Sequence, residues 1–166
     1  LYYIVVGVDP AATSKEDSDL TGIIVAGVDE QDPPHYYVLD DLSIQGTPDE
    51  WGAAVVRAYE TSQANMVVGE TNQGGEMVEA VIRTKMSDIP FEGVHATRGK
   101  FLRAEPISAL YEQGRVHHVG SFPHLEDQMC QWDPTMQGKQ KSPDRMDALV
   151  WALTRLKDGG ELQWSL

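Results

Sequence analysis

Cysteine is nearly absent from this chain. Cys130 stands alone, so no disulfide can close within it, and a reducing compartment is expected. Cys130 lies in the helical-looking stretch "LEDQMCQW" with no base assigned to it, and is expected to be a buried structural thiol. No apolar run approaches the roughly 18 residues that a membrane-spanning helix needs, which excludes such a span. There is no internal repeat, no low-complexity tract and no G-x-x-x-x-G-K-[S/T] phosphate loop. Positive charge is scarce as well: 13 Lys and Arg face 26 Asp and Glu, a net charge of −13 that argues against a general nucleic-acid binder.

The scarcity is uneven. Residues 1–70 carry thirteen acids and two bases, whereas residues 71–166 carry thirteen acids and eleven bases. Arg83, Lys85, Arg98, Lys100 and Arg103 fall within one short segment that holds only Asp88 and Glu92 as acids. Such a cluster suits either a solvated surface or a local phosphate track on an acidic body. What the chain has in quantity is apolar residues, 41% of 166, enough for one domain with its own core.

The pattern of those apolar residues predicts the elements. Tyr2–Val8 and Leu20–Val28 read as strands, the second apolar enough to be buried on both faces. Tyr36–Ile44 reads as a third strand, and the three make an antiparallel meander. The period then changes. "GTPDEWGAAVVRAYETSQA" predicts a helix capped by Thr47, with Pro48 in its first turn. Next come a strand ("NMVVGE"), a helix ("GGEMVEAVIRTKM"), a strand ("FEGVHAT") and a helix ("KFLRAEPISALYEQG"). A short strand ("RVHHV") and a helix ("PHLEDQMCQW") precede a loop and a long final helix, "PDRMDALVWALTRLK". Three meandering strands followed by alternating helices and strands predict an α/β fold with a mixed sheet flanked by helices.

Three acids stand where such sheets build sites. Asp9 ends the first strand, Glu70 ends the fourth, and Asp147 interrupts an otherwise apolar stretch of the last helix. Asp144 lies three residues before Asp147 and shares its helix face. Taken singly, Asp9-Pro10 reads as a turn and Asp144 as a balance to the helix dipole. Taken together the acids form a cluster, and clustered anions cost free energy unless a cation neutralises them. Oxygen donors without Cys or His suit Mg²⁺ or Mn²⁺. Two such ions, roughly 3.5–4 Å apart, would clamp the attacking and leaving oxygens of a phosphodiester. Asp19 is a weaker candidate. Gly74 and Gly75 could open a helix toward a phosphate. Lys139 and Lys141, in the loop before the last helix, and Arg98, Lys100 and Arg103 are the candidate DNA contacts. His117 and His118 are expected to be structural, and Trp132 and Trp151 to lie in the core.

The motifs "VGVDPA", "VVGETNQGGEMV", "KFLRAEPISALYEQGRVHHVG", "FPHLEDQMCQW" and "SPDRMDALVWAL", in that order, resemble the C-terminal nuclease domain of the large terminase subunit of tailed bacteriophages. That family belongs to the ribonuclease H-like superfamily. The resemblance runs from Tyr3 to about Lys157. It implies a metal-dependent endonuclease that cuts concatemeric viral double-stranded DNA during packaging, with Asp9, Glu70 and Asp147 as the catalytic acids and Asp144 as a further metal ligand. It implies one nuclease domain over residues 1–166, cut from a longer chain that begins with a packaging ATPase. Portal and small terminase subunit would be its partners, and the host cytoplasm its location. Three rivals stand beside this reading. A Holliday-junction resolvase of the same superfamily uses similar acids but usually a strongly basic DNA face. An actin-like ATPase would need two such halves. A non-catalytic docking module would keep the acids without the reaction.

Overall fold

A computed structural model of the chain describes residues 1–10, 20–71, 75–95, 99–136 and 144–162, without the side chains of 75, 76 and 160–162. Among these residues the strands are β1 (Tyr3–Asp9), β2 (Leu20–Val28), β3 (Tyr36–Asp41), β4 (Ile44–Gln45), β5 (Met66–Glu70), β6 (Phe91–Val94) and β7 (Val116–His118). The helices are α1 (Pro48–Ser62), α2 (Gly75–Lys85), α3 (Lys100–Glu112), α4 (Pro123–Gln131) and α5 (Asp144–Leu162). The strands form one sheet in the order β6-β5-β1-β2-β3-β7, with β4 paired to β2 off that path. The pairs β1–β2 and β2–β3 are antiparallel, as the meander predicts, while β1–β5, β5–β6 and β3–β7 are parallel. This is the predicted mixed sheet flanked by helices.

The expected third strand, Tyr36–Ile44, is in fact two. The β2–β3 register shifts at Leu39, an extra β3 residue between the pairs Val25–Asp40 and Ala26–Val38, and the pairing then runs on to Asp41 opposite Ile24. The chain then bends: Ser43 N donates to Asp41 Oδ1 at 3.0 Å, and Ile23 N donates to Ser43 Oγ at 2.9 Å. Ile44 re-enters as β4, opposite Thr21. A side-chain hydroxyl and carboxylate take over where the ladder breaks, so no backbone amide is left unpaired there.

The two faces of the sheet carry two separate cores, set by the alternation of strand side chains. Val6, Val8, Ile23, Val25 and Val67 pack against α1 and α2, with Trp51, Val55 and Ile82. Val5, Ile24, Ala26, Val38 and Val68 pack on the other side, where α5 supplies Leu149, Leu153 and Leu156. Every residue of β2 is buried, as expected of a near-continuous apolar run at the sheet centre. Thr47 caps α1, its hydroxyl accepting from Glu50 N at 3.3 Å, with Pro48 in the first turn.

Two expectations about burial are overturned. Cys130 is exposed. On α4 it is Leu125, with Met129 one turn on, that meets the core, and Cys130 falls on the next face round the helix. Trp132 is half-buried where α4 ends, whereas Trp151, on α5, is 6% exposed and lies in the core as expected.

Candidate active site

The alternation that builds the cores also aims the first acid. Val5, Gly7 and Asp9 lie on the same face of β1, the face that α5 covers. Val68 and Glu70 share that face on β5. Because β1 and β5 are parallel neighbours, with Val8 opposite Gly69, Asp9 and Glu70 finish side by side. Two carboxylates 61 positions apart in sequence thus meet at the C-terminal ends of two interior strands.

The helix brings the others. α5 lies directly on β1 and β2, and two glycines allow it to. A Cβ on Gly7 would stand 2.3 Å from the Ala148 carbonyl oxygen, and one on Gly22 would stand 2.1 Å from that of Asp144. Gly22 is also the register partner of Asp9. The first turns of α5 are therefore pressed against the end of β1, and Asp144 and Asp147 arrive beside Asp9. Asp9, Asp144 and Asp147 are between 6% and 8% exposed, and apart from Thr21 they are the buried polar residues among those described.

Electrostatics follows from this crowding. Burial pushes the Asp9 carboxyl well above the usual carboxylate range, and the charges of Asp147, Glu70 and Asp144 push it further, as does a hydrogen bond with Glu70. The Asp147 carboxyl is raised too, chiefly by burial, while Lys100 and Arg103 oppose the shift. Lys100 Nζ donates to Asp147 Oδ2 at 2.5 Å. This contact accounts for a lysine at the first residue of α3, where the helix dipole disfavours a cation. Arg103, one turn on, stacks over the indole of Trp151 with its guanidinium carbon 4.7 Å from the ring centroid.

The chemistry of these donors can be compared with what a cation requires. The donors are all carboxylate oxygens, which suit a hard divalent ion, and burial with mutual repulsion penalises their ionised forms. Among the described residues no three His, Cys, Asp or Glu side chains already stand in a metal-holding arrangement. A lysine ammonium on Asp147 and a bond between Asp9 and Glu70 relieve the charge instead. The acid set fits a divalent cation by its chemistry.

The structure brings together Asp9, Glu70, Asp144, Asp147, Lys100 and Arg103 of the residues expected from sequence. Arg98, Lys139, Lys141, Asp19 and Gly74 lie outside the described residues. His118 is structural, bonding Tyr111 Oη at 2.8 Å and Glu126 Oε1 at 3.1 Å. His117 stacks on His35 near the opposite end of the sheet, and its Nε2 lies 2.7 Å from His35 Nδ1. One pair went unread in the sequence: Arg145 Nε donates to Asp41 Oδ2 at 3.0 Å, joining the start of α5 to the end of β3. The signal available was a lone cation set between Asp144 and Asp147.

Comparison with known proteins bears on family and fold. The family described as the terminase RNaseH-like domain matches residues 6–156. No curated protein matches the sequence significantly. Among solved structures, the large terminase nuclease from thermophilic phage G20c superposes with a TM-score of 0.61 at 13% identity, covering 92% of this chain and 82% of that one. Thermus thermophilus RuvC superposes with a TM-score of 0.58 at 13% identity, over 94% of this chain and 96% of that one. Another structure of T. thermophilus RuvC, bound to a Holliday junction substrate, gives 0.55 at 15% identity, with 92% of each chain covered. At such identities the likeness is one of fold.

Proposed function

The chain belongs to the terminase RNaseH-like domain family, and from that premise we propose that it is a metal-dependent endonuclease that cuts viral double-stranded DNA during genome packaging. One observation carries this reading: Asp9 and Glu70, on adjacent parallel strand ends, meet Asp144 and Asp147 of α5 in a buried, mutually repelling cluster.

Asp9, Glu70 and Asp147, with Asp144, would hold Mg²⁺ or Mn²⁺, two ions in our reading. When bound, the metal supplies activation of water at neutral pH and stabilises charge on the leaving 3′-oxygen. The chain's own residues do the rest. Asp9 would give up the proton that its raised carboxyl holds in the metal-free state. Once a metal took the Asp147 carboxylate, Lys100 would be free to meet a phosphate oxygen, and Arg103 would add positive potential behind it. Arg145 and Asp41 hold the start of α5 in place.

The net charge of −13 leaves few bases for phosphate contacts, so the isolated domain is expected to bind DNA weakly and without sequence preference. In the full assembly an N-terminal ATPase domain of the same polypeptide, a portal and a small terminase subunit would hold the DNA, in the host cytoplasm. The RuvC likeness favours a second reading, junction resolution with the same acids.

Supercoiled plasmid tests the proposal, incubated with Mg²⁺, Mn²⁺ or chelator beside Asp9→Asn and Asp147→Asn. Cleavage that requires metal and vanishes in both variants supports it. Cleavage that persists in them refutes the site. Preference for a synthetic four-way junction over plasmid favours resolution. Calorimetry of Mn²⁺ binding to wild type and Asp9→Asn reads the metal site apart from activity, and equal binding by both would refute it.

A further inference from the structure

Beyond the carboxylates, a groove of about 170 Å³ runs between α3 and α5, with Leu102, Arg103, Ile107, Trp151, Thr154 and Lys157 among its lining residues. Two N–H groups of its walls are buried and have no hydrogen-bond partner among the described residues: Nε of Arg103 and Nε1 of Trp151. Buried donors in folded proteins are almost always paired, and an orphan costs free energy that an acceptor arriving from outside recovers. Here there are two, on side chains stacked against each other. Trp151 is itself 6% exposed, so its indole is fixed by the core and cannot turn away to find water.

The guanidinium also stands outside any close ion pair among the described residues, acting on the Asp147 carboxyl only at longer range. The other two arginines that meet α5 are paired: Arg145 with Asp41 and Arg155 with Glu92. Arg103 forms no ion pair among the described residues and is held instead by the indole face. The groove gathers Arg103 and Lys157, with one acid, Asp158, whose Oδ1 lies 3.9 Å from Lys157 Nζ. Its remaining walls are apolar. Pro106 and Ile107 line it, and Leu102, 51% exposed, forms a lip beside Phe101, itself 44% exposed. Large apolar side chains left in water beside a cationic pocket mark an interaction surface.

We propose that the α3–α5 groove is a docking site for a partner-protein segment that carries an acidic side chain between apolar ones. Its carboxylate accepts from Arg103 Nε and Trp151 Nε1, and its apolar neighbours cover Leu102 and Ile107. A DNA backbone fits less well. It has no apolar side chains for that wall. The proposal does not depend on the nuclease reading, since neither metal nor cleavage enters it.

The test is a titration of ¹⁵N-labelled protein in chelator with an acetylated, amidated hexapeptide of alternating Leu, Glu and Phe. The reporter is the Trp151 indole N–H resonance, assigned by its loss in Trp151→Phe or, should that variant misfold, by triple-resonance spectra. A saturable shift with a Kd of about 1 mM or tighter is expected. The same peptide with Gln for Glu is expected to leave the resonance in place. Leu102→Glu, at an exposed position that tolerates charge, is expected to weaken binding at least about tenfold while keeping the thermal midpoint. An unmoved indole with the acidic peptide, an equal shift with the Gln peptide, or unchanged affinity in folded Leu102→Glu would overturn the proposal. A short DNA duplex that shifts the indole where the peptide does not would overturn it in favour of nucleic acid.

Discussion

The contact of α5 with β1 and β2 can be broken by single methyl groups. In Gly22→Ala the new Cβ would stand 2.1 Å from the Asp144 carbonyl oxygen and 3.0 Å from the Ala148 Cβ. In Gly7→Ala it would stand 2.3 Å from the Ala148 carbonyl oxygen and 2.9 Å from the Ala152 Cβ. A carbon and a carbonyl oxygen rest at about 3.3 Å, so the helix must retreat by about 1 Å. The obstructing atoms belong to helix backbone, which cannot swing aside. Overpacking of this kind costs about 1–3 kcal/mol. The stiffer unfolded chain returns about 0.4–1 kcal/mol, which leaves the overpacking dominant. For a domain of this size the thermal midpoint falls by about 2–4 °C per kcal/mol.

Asp144 and Asp147 ride on the displaced helix, while Asp9 and Glu70 stay with the sheet. A misplacement of this size is worth about 100-fold in rate. Gly22→Ala, which strikes Asp144 itself, is expected to lose more plasmid cleavage for the same loss of stability than Gly7→Ala. Gly52→Ala serves as the control, because its Cβ meets the Val81 Cγ1 at 2.9 Å, a side-chain methyl that can give way. Thermal unfolding in chelator and cleavage in Mn²⁺ are the two assays. Both variants within about 0.5 kcal/mol of wild type, with cleavage unchanged, would refute the claim that these glycines seat the helix.

Three further outcomes follow from the same geometry. The raised Asp9 carboxyl holds a proton in the native state that the unfolded chain releases, so metal-free stability falls as pH rises above the unfolded carboxylate range. Asp9→Asn removes that dependence, and in chelator at neutral pH it is expected to melt higher than wild type; a lower midpoint there would contradict the assignment. Lys100→Ala takes the ammonium off Asp147; Mn²⁺ is expected to bind more tightly by calorimetry while plasmid cleavage falls about tenfold or more, and weaker Mn²⁺ binding would be the opposing result. Arg145→Ala strands Asp41, whose side chain is 10% exposed; chemical denaturation is expected to show a loss of about 3 kcal/mol, and Asp41→Asn combined with it should cost less than the two singly.

Much of this was legible in the chain itself. A period of two in "YIVVGVD" predicts a strand and places Asp9 on the same face as Val5 and Gly7. Spacing of three puts Asp144 and Asp147 on one helix face wherever that helix lies. The break in β3 was not legible. Tyr36–Ile44 alternates well enough for one strand, and only the pairing with β2 shows that β3 ends at Asp41 and the chain re-enters at Ile44. Cys130 was misjudged for a similar reason: "LEDQMCQW" is apolar at several positions, and the packing of α4 decides which of them the core takes.

Local pattern, then, determined the elements, the identity of the acids and the face on which each stands, because hydrophobic period and capping act over a few residues. Only the tertiary structure decided that Asp9 and Glu70 adjoin, that Gly7 and Gly22 admit α5 to their side, that Lys100 neutralises Asp147 and that Arg145 finds Asp41. Those are contacts between residues tens of positions apart. Which of them form depends on strand order and on how closely one backbone can approach another, and no short window of sequence carries either.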